Sequence, residues 1–260
     1  RANTLKSSRD GVLAELRGDG FAAEATPHAP HGIRIARHEG ASALSRTRAY
    51  LDGRFEFQDE AAQIASLLCA ANPGETILDL AAGAGGKALA LAAAMDNRGL
   101  IVARDNDATR LAQLAPRATR AGVGIIREGE PEENAFDAVL VDAPCSGSGA
   151  WRRQPEQKWR LTPERLREWR DTQDQLLDEA AQAARRRIVY ATCSIFACEN
   201  EDRISAFLSR HPEFHIRPAA AIWRDATGAA PPPGMGELFK ATPGATGTDG
   251  FFTAVLLRRE

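Results

Sequence analysis

The stretch Asp79-Leu-Ala-Ala-Gly-Ala-Gly-Gly-Lys87 decides the fold of this chain. It follows the apolar segment 76–80 and leads into the alanine- and leucine-rich segment 88–95, so it joins a predicted strand to a predicted helix. Glycines at such a junction make a tight turn, and the backbone N–H groups at the start of the helix can then approach a nucleotide-like ligand. The sequence therefore predicts a binding turn for a ligand that contains adenosine.

Short apolar segments alternate with helical patterns from this turn onward. The predicted strands are 76–80, 100–103, 124–127, 136–141 and 187–191. The predicted helices are 87–95, 108–121, 163–184 and 200–210. Such alternation is typical of a parallel sheet with helices on both faces, and segments 213–217 and 251–257 predict a terminal antiparallel hairpin. The predicted fold class is α/β, with a Rossmann-like, mostly parallel sheet of seven strands.

The segment before the turn predicts a second, smaller α+β unit. Residues 9–16 have helical spacing, 21–26 and 32–36 resemble short strands, and 41–54 is polar and irregular. An amphipathic helix over 58–71 then ends at an Asn-Pro-Gly sequence. We therefore predict a boundary near residue 54, with a small domain over 1–54 and the main domain over 55–260.

The composition is that of an ordinary globular protein. Of 260 residues, 43% are hydrophobic and 26% are charged. The longest uncharged apolar run, 88–95, is far shorter than the roughly 18 to 20 residues that span a bilayer, which excludes a membrane-spanning protein. The chain begins Arg1-Ala-Asn-Thr, without an initiator Met or an apolar signal segment, so we expect a cytoplasmic fragment.

The glycine turn alone is compatible with two cofactors. Gly83-x-Gly85-x-x-Ala88 satisfies the dinucleotide-binding pattern, and Asp105 lies 20 residues after Gly85, where an acid binds a ribose, so a dehydrogenase is a rival hypothesis. Asp79 favours S-adenosylmethionine, because an acid at the end of the strand can help to hold a cationic amino-acid group. The choice between the two depends on residues further along the chain.

Two of the four cysteines follow apolar strands. Asp142-Ala-Pro-Cys145 ends one strand and Thr192-Cys193-Ser194 ends the next, so both thiols are expected in the crevice that the glycine turn faces. We interpret Cys69 and Cys198 as structural. The cysteines form no C-x-x-C pair, which predicts neither a disulfide framework nor a metal site.

A thiol in this position suits one particular reaction. C5 of cytosine attacks a methyl sulfonium only after a nucleophile has added to C6, and a thiolate is the natural nucleophile. Lys87 would favour the thiolate, and a second thiol could help to release the C5 proton. Nicotinamide chemistry has no obvious use for two such thiols.

These residues together resemble the RsmB and Nop/Sun group of S-adenosylmethionine-dependent RNA cytosine-5 methyltransferases. The glycine turn is similar to the family's first motif, Asp-x-Cys-Ala-Ala-Pro-Gly-Gly-Lys, although Ala81, Gly83 and Ala84 replace its Cys, Ala and Pro. Asp142-Ala-Pro-Cys-Ser-Gly-Ser-Gly resembles the fourth motif, and Tyr190-Ala-Thr-Cys-Ser with Glu199-Asn-Glu the sixth. The resemblance covers essentially the whole chain and implies a class I methyltransferase sheet.

The resemblance assigns roles by position. It implies that Cys193 adds to C6 of the cytosine, that Cys145 promotes release of the methylated base, and that Asp142 and Lys87 lie beside that base. Asp105 would bind the cofactor ribose and Glu130 the adenine. The implied cofactor-binding residues are Asp79, Ala81, Ala82, Gly83, Ala84, Gly85, Gly86, Lys87, Asp105, Glu130 and Asp142.

The resemblance also implies an RNA partner. Ribosomal RNA is the expected substrate, with transfer RNA as an alternative, and a non-catalytic RNA-binding assembly factor is the alternative that is not an enzyme. Residues 1–54, with nine Lys/Arg against six Asp/Glu, resemble a small RNA-recognition-like domain. We expect them to form one RNA-binding face with the Arg-rich segment 151–170, and we expect a monomer.

Overall fold

The computed structural model describes residues 1–35 and 40–259. Its first part contains helix α1 (Arg9–Gly18), the antiparallel strands β1 (Ala23–Ala25) and β2 (Ile33–Ile35), and the short helices α2 (Ala41–Leu44) and α3 (Arg48–Leu51). The end of the predicted strand 32–36 lies outside the described residues. The prediction of an irregular segment over 41–54 is wrong, because α2 and α3 lie there, and Thr47 caps α3 by accepting a hydrogen bond from the N–H of Tyr50.

The residues before position 55 pack around their own apolar cluster. Val12 and Leu16 of α1 meet Leu44 and Ala49 there, and Phe55 closes the cluster. This cluster is compatible with a small N-terminal domain, and the boundary near residue 54 stays a prediction.

The main sheet contains eight strands, which are β3 (Thr76–Asp79), β4 (Leu100–Ala103), β5 (Ile126–Glu128), β6 (Phe136–Asp142), β7 (Ala184–Thr192), β8 (Phe214–Arg217), β9 (Phe239–Ala241) and β10 (Phe251–Arg258). Their order is β5-β4-β3-β6-β7-β10-β8, and β9 also pairs with β10. Strands β3 to β7 are parallel, whereas β10 runs antiparallel to β7, β8 and β9. The predicted Rossmann-like sheet with a terminal antiparallel pair is confirmed, but the predicted number of seven strands is wrong, because among the described residues β9 adds an eighth strand beside β10.

Helices cover both faces of this sheet, as alternate residues of its strands require. Ile77 belongs to the core on one face, with α4 (Glu60–Leu68), α5 (Gly86–Ala94) and α10 (Ala219–Thr227). Leu78 belongs to the core on the other face, with α8 (Pro163–Ala183) and α9 (Glu201–Arg210). The buried side chains thus alternate with the period of two that a strand covered on both faces shows.

Two sequence-based predictions of secondary structure need correction. The predicted helix 108–121 is two helices, α6 (Ala108–Leu111) and α7 (Leu114–Ala121). Pro116 explains the break, since a proline has no N–H to donate to the carbonyl of residue 112 and its ring would collide with that carbonyl. Between the predicted strands 213–217 and 251–257, for which the sequence predicts no further helix or strand, the structure contains α10, β9 and α11 (Pro243–Thr246).

The parallel strands bring their carboxyl ends to one edge of the sheet. Asp79 pairs in register with Ala103 on one side and Leu140 on the other, and Asp142 pairs with Ala191. The glycine turn and both cysteine segments therefore begin at the same edge. Within the described ranges, no helix is both long and apolar enough to cross a membrane.

Candidate active site

A cavity of about 340 Å³ opens at the carboxyl edge of the parallel strands. It is lined by Leu80, Ala81, Asp105, Asn106, Arg110, Asp142, Ala143, Pro144, Cys145, Trp169, Thr172, Leu176 and Cys193. Of this set, the acids, the two thiols and Ala81 were predicted from the sequence as site residues. Arg110 and the three residues from α8 were not, because a helical face carries no motif that identifies it as a cavity wall.

The glycine turn requires glycine at two positions. Gly83 has a φ of +53° and Gly85 a φ of +80°, in the left-handed region that other residues rarely adopt. A Cβ on Gly85 would lie 2.1 Å from Cδ1 of Leu114 in α7. The turn is therefore both conformationally strained for other residues and closely packed.

Asp105 lies directly against this turn. Its Oδ2 accepts a hydrogen bond of 2.7 Å from the N–H of Gly83, and its Oδ1 accepts one of 2.8 Å from the N–H of Asp107. Since Ala81 and Asp105 line the same cavity, the carboxylate is positioned at the mouth of the glycine turn. Of the other turn residues, Ala84 accepts a hydrogen bond at its carbonyl from the guanidinium of Arg117. Ala82 is buried in a small apolar cluster.

Asp79 is a buried acid under the same turn. Its side chain is fully excluded from solvent, and burial raises its pKa to about 7. Neither carboxylate oxygen has a hydrogen-bond partner within the part of the chain that the structure describes. A buried polar group normally has such a partner, so Asp79 fits a site that receives a cationic or hydrogen-bond-donating ligand group.

Lys87 and Asp142 form an ion pair at the base of the cavity. The Lys87 Nζ lies 2.5 Å from Asp142 Oδ2, and it also lies 5.2 Å from the centre of the Phe251 ring. Burial opposes the charge of Lys87, but Asp142 outweighs this effect and raises the pKa of the amine. Lys87 is therefore a fixed cation next to the thiols.

The two predicted cysteines face each other. Their Sγ atoms are 3.4 Å apart, although the residues are 48 positions apart in sequence. The hydrogen bond from Cys145 lowers the pKa of Cys193, with further help from Lys87, whereas the same bond raises the pKa of Cys145 well above its ordinary value. Cys193 is therefore the more acidic thiol of the pair.

The remaining cysteines and Glu130 lie elsewhere. Cys69 is buried in the core, where desolvation raises its pKa to about 12, and Cys198 lies beyond the Cys193 segment. The Glu130 side chain is 81% exposed and pairs with Nε of Arg104 at 3.1 Å. The structure thus does not bring Glu130 to the cavity wall, and its assignment to the adenine stays a prediction.

The Arg-rich segment after Cys145 divides into docked and free side chains. Arg152 and Arg153 both pair with the buried Asp249, at 2.5 Å each, and about half of each side chain is exposed. Trp151 packs edge-on against Phe196, while Trp159 is 82% exposed. Trp159 is thus available for stacking, and Trp151 is part of the packing.

Candidate metal ligands are not grouped here. Among residues 1–35 and 40–259, no cluster of three His, Cys, Asp or Glu side chains could hold a metal ion. The expectation of a protein without a metal stays a prediction.

The comparisons with known proteins agree with this geometry. The model of the 16S rRNA methyltransferase RsmB/F family matches residues 66–257. Ribosomal RNA small subunit methyltransferase B of Cronobacter sakazakii is 34% identical over all of this chain and 59% of its own length, and methyltransferase F of the same organism is 32% identical over 98% and 56%. The chain therefore spans just over half the length of these curated relatives.

A solved structure extends the likeness to three dimensions. The crystal structure of PH0851 superposes with a TM-score of 0.88 at 35% identity and covers 98% of this chain and 58% of its own. With the glycine turn, the two facing thiols and the family match over most of the main domain, this chain belongs to the RsmB/F family of methyltransferases.

Proposed function

We propose that this chain transfers a methyl group from S-adenosylmethionine to C5 of a cytosine in ribosomal RNA, in the cytoplasm and as a monomer. The observation that carries the proposal is the pair of thiols, 3.4 Å apart, in the cavity that also contains Asp105. The family match and the names of the curated relatives support a ribosomal substrate.

The turn side of the cavity fits the cofactor. Asp79 offers a buried carboxylate to a cationic amino-acid group, and Asp105 lies at the mouth of the glycine turn, where a ribose would reach it. Residues 81–87 supply the close backbone approach that such a ligand needs. S-adenosylmethionine, when bound there, supplies an electrophilic methyl group on a sulfonium.

The reaction begins at Cys193. Its thiolate forms a bond to C6 of the cytosine, and the electrons of the C5–C6 double bond make C5 nucleophilic, so that C5 can form the new bond to the methyl carbon. Lys87 favours this step in two ways. Its charge lowers the pKa of Cys193, and its ion pair with Asp142 keeps it protonated and in place.

The adduct must then break. When the C5 proton leaves, the C5–C6 double bond re-forms and the electrons of the C6–S bond return to Cys193. Cys145 lies 3.4 Å from the Cys193 sulfur, and hence beside the ring carbons of any adduct, so we assign release of that proton to Cys145. Once Cys193 is bonded to C6 it no longer needs a hydrogen bond from Cys145, so Cys145 can lose its S–H proton to water and, as the thiolate, accept the C5 proton.

The rival functions lack support from this geometry. A dehydrogenase would use the glycine turn and Asp105 but has no use for two cysteines in contact. An assembly factor would need the fold without the chemistry, whereas here the thiols, Lys87 and Asp142 are all brought together. Transfer RNA stays an alternative substrate.

The proposal is tested by methyl transfer and by trapping. Purified protein is incubated with labelled S-adenosylmethionine and, separately, with small-subunit ribosomal RNA, large-subunit ribosomal RNA and transfer RNA, and the product is mapped by bisulfite sequencing. Cys145→Ala should still transfer the methyl group but leave RNA covalently bound, as a slow band on a denaturing gel. Cys193→Ala should give neither product nor band.

Several results would contradict parts of this proposal. Calorimetric binding of NAD instead of S-adenosylmethionine would indicate the dehydrogenase. A trapped band with Cys193→Ala and not with Cys145→Ala would reverse the two roles. Cys198→Ala is the matched control, since it removes a nearby thiol that lies outside the cavity wall, and it should behave as the wild type.

A further inference from the structure

Glu199 is a buried carboxylate between the two cysteine segments. It ends the short 3-10 turn Ala197–Glu199 before α9 and has no exposed surface. Four donors reach it: the N–H of Ser146 at 2.8 Å, the hydroxyls of Ser146 and Ser194 at 2.5 Å each, and the side-chain amide of Gln173 at 3.2 Å. Each such donor would be costly to leave unpaired in the interior, so the carboxylate fixes all three segments.

The bonded serines are the immediate neighbours of the thiols. Ser146 follows Cys145 and Ser194 follows Cys193, and a single oxygen of Glu199 accepts from both hydroxyls. This oxygen therefore joins the two segments one residue away from the point where the Sγ atoms meet at 3.4 Å.

The directions of the hydroxyl protons depend on this carboxylate. A hydroxyl has one proton, and Ser146 and Ser194 both give theirs to Glu199. The Ser148 hydroxyl must then donate to Ser194 across 3.0 Å, while it accepts from the N–H of Ile195 at 2.9 Å. Without the carboxylate, the side chains of these serines would be joined only by contacts between neutral hydroxyls. The hydroxyls of Ser146 and Ser194 are 3.3 Å apart.

The far side of Glu199 is fixed as well. The phenol of the buried Tyr190 donates to the Glu199 carbonyl at 2.6 Å, and Gln173 of α8 also donates to the carbonyl of Pro144 at 2.9 Å. The backbone of Glu199 is thus held from β7 and its carboxylate from α8, and the carboxylate in turn holds the two thiol segments, which is the arrangement of a rigid support for a reactive pair.

We propose that Glu199 is a positioning residue that holds Cys145 and Cys193 in mutual contact before RNA binds. The inference rests on the proposed function for the roles of the two thiols. It goes beyond that function because it names a residue that touches neither cofactor nor RNA. The contact between the sulfurs lowers the pKa of Cys193, so the proposal concerns the reactivity of Cys193 and not only the stability of the fold.

The test measures the reactivity of the Cys193 thiol in the absence of RNA and of cofactor. Wild type, Glu199→Gln and Glu199→Ala are alkylated with iodoacetamide from pH 6 to pH 10, and the rate at Cys193 is followed by peptide mass spectrometry. Glu60→Gln is the matched control: Glu60 is a buried glutamate that accepts from the N–H groups of His28 and Ala29, remote from the thiols.

Glu199→Ala should slow alkylation of Cys193 at pH 7 by roughly 3- to 10-fold and move the midpoint of its pH profile upward, since a thiolate that loses its hydrogen bond is less populated. Glu199→Gln should fall between this variant and the wild type, because an amide can keep part of the bridge without its charge. Glu60→Gln should match the wild type.

The outcomes separate this inference from the proposed function. An unchanged Cys193 profile in folded Glu199→Ala overturns the inference, even if the enzyme methylates RNA. The predicted shift without RNA methylation by the wild type supports the inference on the thiols and overturns the proposed function. If Glu199→Ala does not fold, Ser146→Ala and Ser194→Ala each remove one bridge, and each should raise the midpoint of the Cys193 profile; no rise in either overturns the inference.

Discussion

Each side of the cavity has a fully buried acid behind it, and the two acids differ in their hydrogen bonds. On the thiol side, formed by the Cys145 and Cys193 segments, Glu199 accepts four hydrogen bonds. On the turn side, formed by residues 79–87 and Asp105, neither oxygen of Asp79 has a partner among the described residues.

The difference distinguishes an acid that holds its neighbours in place from an acid that can receive a ligand group. Four donors stabilise a charge where it is, so Glu199 can hold its neighbours without any ligand. Burial, with the nearby Asp142 carboxylate, instead raises the pKa of Asp79 to about 7, so its charge is most favourable when a cation arrives. We therefore expect the thiol side to be preorganised and the turn side to depend on the cofactor.

The largest expected effect breaks the turn side alone. Gly85→Val places a branched side chain at a φ of +80° and a Cβ 2.1 Å from Leu114, which should cost about 3 kcal/mol or more of unfolding free energy and abolish cofactor binding. Chemical denaturation and calorimetric titration measure both. Gly74→Ala, at a positive φ with open space around its Cβ, is the control and should cost less. Equal cofactor affinity in Gly85→Val would contradict the assigned turn.

Asp105→Ala should have the next largest effect. The loss of charged hydrogen bonds to a ribose should weaken S-adenosylmethionine binding by about 1 to 3 kcal/mol, measured by calorimetry. Asp107→Ala removes a neighbouring acid that caps α6 without lining the cavity, and it should change the affinity less. Alkylation of Cys193 should be unaffected in both, since the thiol side keeps its own bonds. An unchanged affinity in Asp105→Ala would remove this residue from the site.

Many of the features compared here could be predicted from the sequence, because they depend on local patterns. Strand and helix periods predicted the parallel sheet, and the sheet in turn predicted that Cys145 and Cys193 would meet at one edge. The glycine turn was equally local. Pro116 also gave a readable signal for the break between α6 and α7, which the helical pattern of the flanking residues concealed.

The rest depends on contacts between distant segments. Glu199 was quoted as part of a motif, but its role is set by hydrogen bonds to Ser146 and Gln173, which no spacing predicts. Strand β9 has three residues in a Gly/Pro-rich segment, and it exists because β10 offers it an edge. Glu130 illustrates the converse: its place after β5 agrees with the family pattern, yet its side chain points to solvent.

A pH series sharpens the contrast between the two acids. Because the pKa of Asp79 is raised in the folded state, to about 7 from 3.8, the native protein retains a proton that the unfolded chain has lost between these values. The free energy of unfolding of the cofactor-free protein should therefore fall as the pH rises from about 4 to about 7. Asp79→Asn should remove this part of the fall.

Cofactor affinity should show the opposite trend. As Asp79 ionises, S-adenosylmethionine should bind more tightly, by up to about eightfold in total from pH 6 to pH 7.5, while an α-amino group is still largely protonated. Asp79→Asn should bind weakly with a flat profile, whereas Asp105→Asn should bind weakly and keep the slope. A flat profile in the wild type would show that Asp79 does not receive the cationic group.

The smallest expected effect concerns the segment that borders the thiol side. Arg152 and Arg153 form ion pairs with the buried Asp249, but about half of each side chain is exposed and can still contact a phosphate. Arg152→Ala with Arg153→Ala should therefore reduce the slope of log affinity for RNA against log salt concentration by about 1 to 2. Arg98→Ala, an exposed arginine just before β4 and thus near the amino end of the parallel strands, is the control and should leave the slope unchanged. The two results together decide between an RNA-binding face and an ordinary solvated one. If the double variant keeps the wild-type slope, these arginines serve only to dock their segment on Asp249, and RNA must be held by other groups, with the exposed Trp159 as the next residue to change.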